Sequence, residues 1–382
     1  MSSATASFSG ARPRKKGSSK RRACAAPGES SRRPRMRALV FKDFGSVELA
    51  DVPKPGLEAA DDALVRITTT AICGSDLHVL NGRIPGMTPG AVLGHEFIGV
   101  VEETGRDVAR FKAGDRVLGS FMIPCGSCWF CDRGLFSRCP DVCVFGYGSF
   151  LGDVQGAQAE YVRVPKADLA LHAINASLSD EQALFAGDIF TTGYECAVEA
   201  HIEKGDVVAV LGCGPVGLMA IQAARAFEPE RIFAVDTVSQ RLEMAQTFGA
   251  IPVDASAVHP CSHIQDLTGG RGADAVLECV GLIPALLDSI DIVRAGGRIS
   301  VIGVHSDPEI QLPLSLSFVR GIDLKFCGTA NIVGRWDDAL GLITAGSVHP
   351  DEIISHRMKL ADGVRGYELF EKREALKVVL TP

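Results

Sequence analysis

The sequence predicts a two-domain α/β protein, an irregular β domain followed by a doubly wound parallel sheet. Three observations predict it. The chain has 382 residues, more than the roughly 100–200 usual for one domain. From Met36 the text becomes short β-rich segments broken by glycines, and this pattern runs to about residue 165. From Val207 strand and helix signals alternate, as expected of parallel strands covered on both faces by crossover helices. With 46% hydrophobic and 22% charged residues the chain can bury a sizeable core, which excludes disorder of the whole.

Residues 1–35 stand apart. They carry ten Lys or Arg against a single Glu29 and contain no Leu, Ile or Val, while residues 36–382 hold a net charge of −16 within the overall −7. Such a segment buries too little apolar surface to offset its ordering entropy, so it is expected to be a disordered basic extension. Its charge could attract phosphates non-specifically, on nucleic acid or a membrane surface. The lack of aromatics interleaved with the charges and the acidic body speak against that. A transit peptide is disfavoured by the lack of Leu and Ile, and translation from Met36 is the favoured reading. No run of about 18 apolar residues and no secretory leader is seen, so a cytoplasmic protein without membrane contact is expected.

The first domain is expected over 36–187, opening with the strand pattern Met36–Phe41 and enclosing a cysteine-rich lobe at 120–145. A helical stretch near Ser179–Ala200 leads to the second, over 188–328. Its strands are expected at Val207–Leu211, Ile232–Asp236, Asp274–Cys279, Arg298–Val304 and Ile322–Cys327, and its helices at Gly217–Ala226, Arg241–Phe248 and Pro284–Val293. Residues 329–382, with a helix near Trp336–Ala345 and a strand at Ala375–Leu380, are expected to return to the first domain.

Three motifs carry chemistry. Cys125-Gly-Ser-Cys128-Trp-Phe-Cys131, followed by Cys139, offers four thiolates at separations that can close a tetrahedron around Zn²⁺. A closed shell leaves no position for substrate, so this zinc would be structural; disulfides are disfavoured by the compartment. Second, Val207–Leu211 runs into Gly212-Cys-Gly214-Pro215-Val216-Gly217 and then a helix, with Asp236 ending the next strand. Gly212 permits the tight turn, Gly214 lets the backbone approach a pyrophosphate, and Gly217 allows close helix packing at the positive helix end. The Asp236 carboxylate would bind the adenosine ribose and repel a 2′-phosphate, favouring NAD over NADP; Arg241 could pair near the adenosine or face solvent. Third, Cys73-Gly-Ser75-Asp76-Leu-His78, Gly94-His95-Glu96 and Asp188 with Thr192-Gly-Tyr supply a thiolate, an imidazole and a carboxylate, the set a catalytic zinc needs. Spacing alone does not select these three. Taken singly they read as a buried small residue, a core histidine and a helix cap.

These segments, in this order, resemble the zinc-containing medium-chain alcohol dehydrogenase superfamily over nearly all of 36–382. The Asp188 variant, with Gly146-Tyr-Gly-Ser-Phe and Gln155-Gly-Ala-Gln-Ala-Glu-Tyr-Val, is most similar to the branch of bacterial alcohol dehydrogenases and glutathione-independent formaldehyde dehydrogenases. The resemblance implies a GroES-like catalytic domain, a Rossmann coenzyme domain, NAD, and two zinc ions per chain. It makes Cys73, His95 and Asp188 the catalytic zinc ligands, Glu96 a neighbouring or exchanging ligand, Asp76 the carboxylate orienting His95, and Thr192 part of the cofactor site. It implies hydride transfer from a primary, secondary or polyol alcohol, giving aldehyde or ketone, with Ser75 taking the alcohol proton and His78 relaying it to water. Formaldehyde dehydrogenase or aldehyde dismutase chemistry is the alternative. It is disfavoured because the 347 residues from Met36 leave no room for the extra loop of those enzymes. A homo-oligomer is implied, a tetramer over a dimer.

Overall fold

The computed structural model describes residues 34–382. The disordered extension expected at 1–35 lies outside the described residues except for Pro34 and Arg35, and Arg35 already begins the strand Arg35–Asp43.

Two large sheets organise the described chain. The first has seven strands: His356–Lys359, Val378–Thr381, Ala63–Ile72, Phe97–Thr104, Arg116–Gly119 and Leu171–Ala173 in spatial order, with Tyr161–Val164 also paired on Ala63–Ile72. Its pairings are antiparallel apart from His356–Lys359 against Val378–Thr381. The β-branched run Ala-Leu-Val-Arg-Ile-Thr-Thr-Thr-Ala-Ile of Ala63–Ile72 is buried along most of its length, which suits a strand paired on both sides. The last strand reaches this sheet from the far end of the sequence, pairing Val378 with Ile72.

The second sheet is six-stranded and parallel, in the order Ile251–Asp254, Arg231–Asp236, Val207–Leu211, Ala273–Glu278, Val293–Val301, Asp323–Phe326. Every residue of Val207–Leu211 and of Ala273–Glu278 is buried, the continuous pattern of strands covered on both faces. The chain starts at Val207, steps outward to one side, then returns to add strands on the other. The crevice beyond the ends of Val207–Leu211 and Ala273–Glu278 is therefore where the strand order reverses, the place where such sheets take ligands.

Three features depart from the sequence expectation. The helical stretch at Ser179–Ala200 is broken into Asp180–Leu184, a tight turn Phe185–Gly187, and the helix Ile189–Glu199, with Asp188 at φ −152°, ψ −93° between them. The strand Ile251–Asp254 and the helix Pro260–Leu267 were not foreseen. The strand lies at the sheet edge, where Pro252 is tolerated, and the helix buries only Pro260 and Ile264, so neither carries a strong period. The exposed helix Leu314–Arg320 buries nothing and left no signal either.

Packing fixes Asp188 from two sides. The helix Ile189–Glu199 crosses the helix Pro215–Arg225 so closely at Gly193 that a Cβ there would lie 2.5 Å from Ala220 N. From the helix Ile332–Thr344, Trp336 donates its indole N–H to Ala186 O at 3.0 Å. None of the described helices is long and apolar enough to cross a membrane.

Candidate active site

Cys73, Gly74, Ser75 and Asp76 build their corner by local rules. Cys73 is the N-cap of the short helix Gly74–Leu80, and Asp76 Oδ2 reaches back to accept the Cys73 N–H at 3.0 Å, closing a capping box. This turns the Cys73 thiol inward. His95 follows Gly94 before the strand Phe97–Thr104, with its Nδ1 3.1 Å from Asp76 Oδ1 and its Nε2 3.2 Å from Asp188 Oδ2. Asp188 heads a helix without capping it; its carboxylate points instead into the cluster, 3.5 Å from Cys73 Sγ. Thr192, one turn on, donates its hydroxyl to Asp188 Oδ1 at 3.3 Å.

One ligand atom each from Cys73, His95, Glu96 and Asp188 lie within 4.8 Å of one another, and all four residues are buried. A thiol, an imidazole and two carboxylates converging in a dry pocket suit a divalent cation, and the donor set matches zinc. The electrostatics agree. Burial and the Asp188 charge push the Cys73 thiol up. Burial also pushes Glu96 up to about 7 against the pull of Lys377, whereas His95 overcomes burial to hold Asp188 down to about 2. Mutually repelling acids of this kind are what a bound cation relieves.

Lys377 escaped the sequence reading. It is fully buried and its Nζ lies 2.8 and 2.6 Å from the two carboxylate oxygens of the equally buried Glu96. A lone lysine inside Leu376-Lys-Val-Val-Leu was the available signal, since a charge in an apolar strand run needs a partner. Tyr147, of the segment Gly146-Tyr-Gly-Ser-Phe, also lies at the cluster. Its ring meets His95 edge-on at 5.5 Å, and burial pushes its phenol pKa up. Ser75 Oγ itself is 3.2 Å from His95 Nε2. His78, on the same helix, is half-buried and receives a hydrogen bond from Arg83 at 3.4 Å; burial and the Arg83 charge lower its pKa from 6.5.

The four-cysteine lobe forms a second centre. One sulfur each from Cys125, Cys128, Cys131 and Cys139 lie within 4.8 Å of one another, with Cys128 and Cys131 at 3.5 Å and Cys125 and Cys131 at 4.0 Å. No disulfide joins them. Four thiolates at Zn–S of about 2.3 Å sit about 3.8 Å apart in a tetrahedron, so the observed spacing fits zinc.

At the sheet crevice Gly212 adopts φ +88°, and a Cβ on Gly217 would fall 1.7 Å from Gly212 O, so both positions require glycine. Gly214 precedes Pro215 at the helix start, and a Cβ on it would meet nothing nearer than Arg241 Nη1 at 3.9 Å. Space is thus left over the helix N-terminus for a phosphate, with Val216 partly exposed beside it. Asp236 ends its strand and braces the loop: Oδ2 accepts Cys213 N at 2.7 Å and Oδ1 accepts Thr237 N and Val238 N. Arg241 lies 3.8 Å from it. These residues fit a dinucleotide.

Comparison with known proteins agrees with this geometry. A profile described as "Alcohol dehydrogenase GroES-like domain" matches residues 59–174, and one described as "Zinc-binding dehydrogenase" matches 215–345. The zinc-type alcohol dehydrogenase-like protein AdhB of Bacillus subtilis is 34% identical, covering 91% of this chain and 100% of that protein. Alcohol dehydrogenase TADH of Thermus sp. ATN1 superposes with a TM-score of 0.88 at 42% identity over 91% of this chain and 99% of its own. A zinc-binding dehydrogenase of Sinorhizobium meliloti, solved bound to NADP, gives 0.81 at 27% identity over 92% and 100%. The chain therefore belongs to the zinc-containing medium-chain alcohol dehydrogenases, oxidoreductases with a GroES-like and a Rossmann domain.

Proposed function

We propose that the chain is an NAD-dependent alcohol dehydrogenase that takes a primary, secondary or polyol alcohol to the aldehyde or ketone and holds two zinc ions. The observation that carries this reading is the convergence of Cys73, His95, Glu96 and Asp188 beside the Ser75 hydroxyl. Cys73, His95 and Asp188 would hold the catalytic ion, with Glu96 held back by Lys377, and Cys125, Cys128, Cys131 and Cys139 the structural one. Zinc supplies a Lewis acid that lowers the pKa of a substrate hydroxyl, and NAD supplies the hydride acceptor.

The chain's own residues do the rest. Ser75 orients the substrate hydroxyl and accepts its proton while handing its own hydroxyl proton on toward His78 and solvent. His78 passes the proton to solvent; with its pKa lowered, the imidazole is neutral at pH 7 and open to a proton. Asp236 places a fixed negative charge beside the loop, which disfavours a 2′-phosphate and selects NAD. The exposed apolar helix Leu314–Arg320, next to the edge strand Asp323–Phe326, supports a homo-oligomer.

Initial rates on a panel of alcohols, polyols and formaldehyde, with zinc-replete protein and either NAD or NADP, test the proposal. NADH formation from an alcohol is expected. Rapid formaldehyde consumption without net NADH would transfer the assignment to aldehyde dismutation, and a preference for NADP would remove the role given to Asp236.

A further inference from the structure

Behind the metal cluster a chain of buried polar groups runs from near the C-terminus to His95. Tyr367, on the helix Gly363–Glu371, donates its hydroxyl proton to Gln158 Oε1 at 2.7 Å. Gln158 Nε2 then donates to Ala71 O at 3.0 Å and to Asp76 Oδ2 at 3.1 Å. Asp76 Oδ2 also accepts Cys73 N, and Asp76 Oδ1 faces His95 Nδ1. Tyr367, Gln158, Asp76 and His95 are all buried, so water replaces none of these contacts. Gln158 belongs to the segment Gln155-Gly-Ala-Gln-Ala-Glu-Tyr-Val, to which no function has so far been attached. Its neighbour Gln155 is exposed and does something else, accepting Val92 N at 2.9 Å.

The network can be read only one way. Were the Gln158 amide reversed, its oxygen would face two buried acceptors, the Ala71 carbonyl and the Asp76 carboxylate, with no proton between them, and Asp76 Oδ2 would keep only the Cys73 N–H. With the amide fixed, Asp76 Oδ2 receives two N–H donors and Oδ1 is left for His95. That oxygen lies 3.1 Å from His95 Nδ1, and a proton placed on Nδ1 by the carboxylate leaves the Nε2 lone pair toward Cys73 and Asp188. An apolar pair would fill the same volume but leave Asp76 one donor short.

We infer that Gln158 and Tyr367 are positioning residues of the metal site, which fix the Asp76 carboxylate and through it the tautomer and ring orientation of His95. The inference rests on the zinc reading of the Cys73, His95 and Asp188 cluster. It is tested on the full chain by zinc content and by release of zinc to a colorimetric chelator, with the absorption of the cobalt-substituted protein as a report on ligand geometry. The proteins compared are wild type, Gln158→Met, Tyr367→Phe and, as a control for loss of an amide in the same segment, Gln155→Met.

Gln158→Met is expected to lose one of its two ions about 10- to 100-fold faster than wild type. Tyr367→Phe keeps the amide and is expected to lose that ion about 3- to 10-fold faster. The cobalt spectrum changes in both variants, the other ion leaves at the wild-type rate, and Gln155→Met behaves as wild type. Should Gln158→Met fail to fold, Tyr367→Phe, which removes a single oxygen, decides alone. Release of both ions at the wild-type rate, or of both equally fast, overturns the inference and leaves the zinc reading standing. A wild-type chain holding only the four-cysteine ion overturns both.

Discussion

Glu96 and Lys377 set the hardest physical constraint in the site, because both are fully withdrawn from water. Removing one member of a buried ion pair leaves an uncompensated charge and costs about 3–5 kcal/mol. Lys377→Met is therefore expected to lower unfolding stability by about that amount, and Lys377→Met with Glu96→Gln to recover most of it; urea denaturation of the three proteins reads the difference. Wild-type stability in Lys377→Met would mean that Glu96 has found another cation. Asp188→Ala addresses the neighbouring carboxylate. It should retain one zinc of two and lose turnover, whereas retention of both ions would pass the ligand role to Glu96. His78 gives a pH prediction whose sign follows from its surroundings. Proton release needs the neutral imidazole, so activity rises with pH through the His78 pKa, which burial and then Arg83 hold below 6.5. Arg83→Gln removes the repelling charge, so the acidic limb of the rate profile should move to higher pH; an unmoved limb would take His78 out of the relay. At this scale the sequence named Cys73, His95, Asp76 and Asp188 through resemblance, because no spacing rule joins residues 73, 95 and 188. Lys377 and Tyr367 were beyond reach for the same reason: their partners, Glu96 and Gln158, lie 281 and 209 residues away in the chain.

At the scale of elements, the glycine loop and the metal cluster are joined by one helix crossing. Ile189–Glu199 carries Asp188 at its start, Pro215–Arg225 carries the loop at its own, and they approach backbone to backbone at Gly193. Gly193→Ala would place a methyl 2.5 Å from Ala220 N, so one helix must move. The expected cost is about 1–3 kcal/mol in stability, together with weaker cofactor binding and a lower kcat, because both sites shift at once. Fluorescence titration with NADH and steady-state rates check it, and a loss of stability with unchanged binding would confine the contact to packing. The sequence located the strand and helix of the glycine loop closely, since their apolar runs are unbroken on both faces. It did not see the break at Asp188. Ser179 and Gln182 form a capping box that starts a helix, but the turn Phe185–Gly187 that ends it is imposed by tertiary contacts such as Trp336 on Ala186.

For the molecule as a whole, the parallel sheet ends at Asp323–Phe326, an edge with no partner among the described residues, beside a helix whose apolar side chains face outward. Phe318 is 83% exposed, Val319 80% and Leu314 75%. Contiguous apolar surface next to a free strand edge is a liability for a monomer and a ready interface for a second copy of the same chain. Because an edge-to-edge pairing of identical strands is self-complementary, it closes as a symmetric dimer, and the patch on each helix is buried by the same act. Phe318→Asp with Val319→Asp would place four charges at such a symmetric contact, two from each chain. The double variant is expected to sediment as a smaller species than wild type at equal concentration while keeping its zinc content, since neither residue approaches a metal cluster. Equal sedimentation of the two proteins would remove this face from the assembly. Composition could not have located it: 46% hydrophobic residues describe the chain's total, and only the fold decides which of them stay outside.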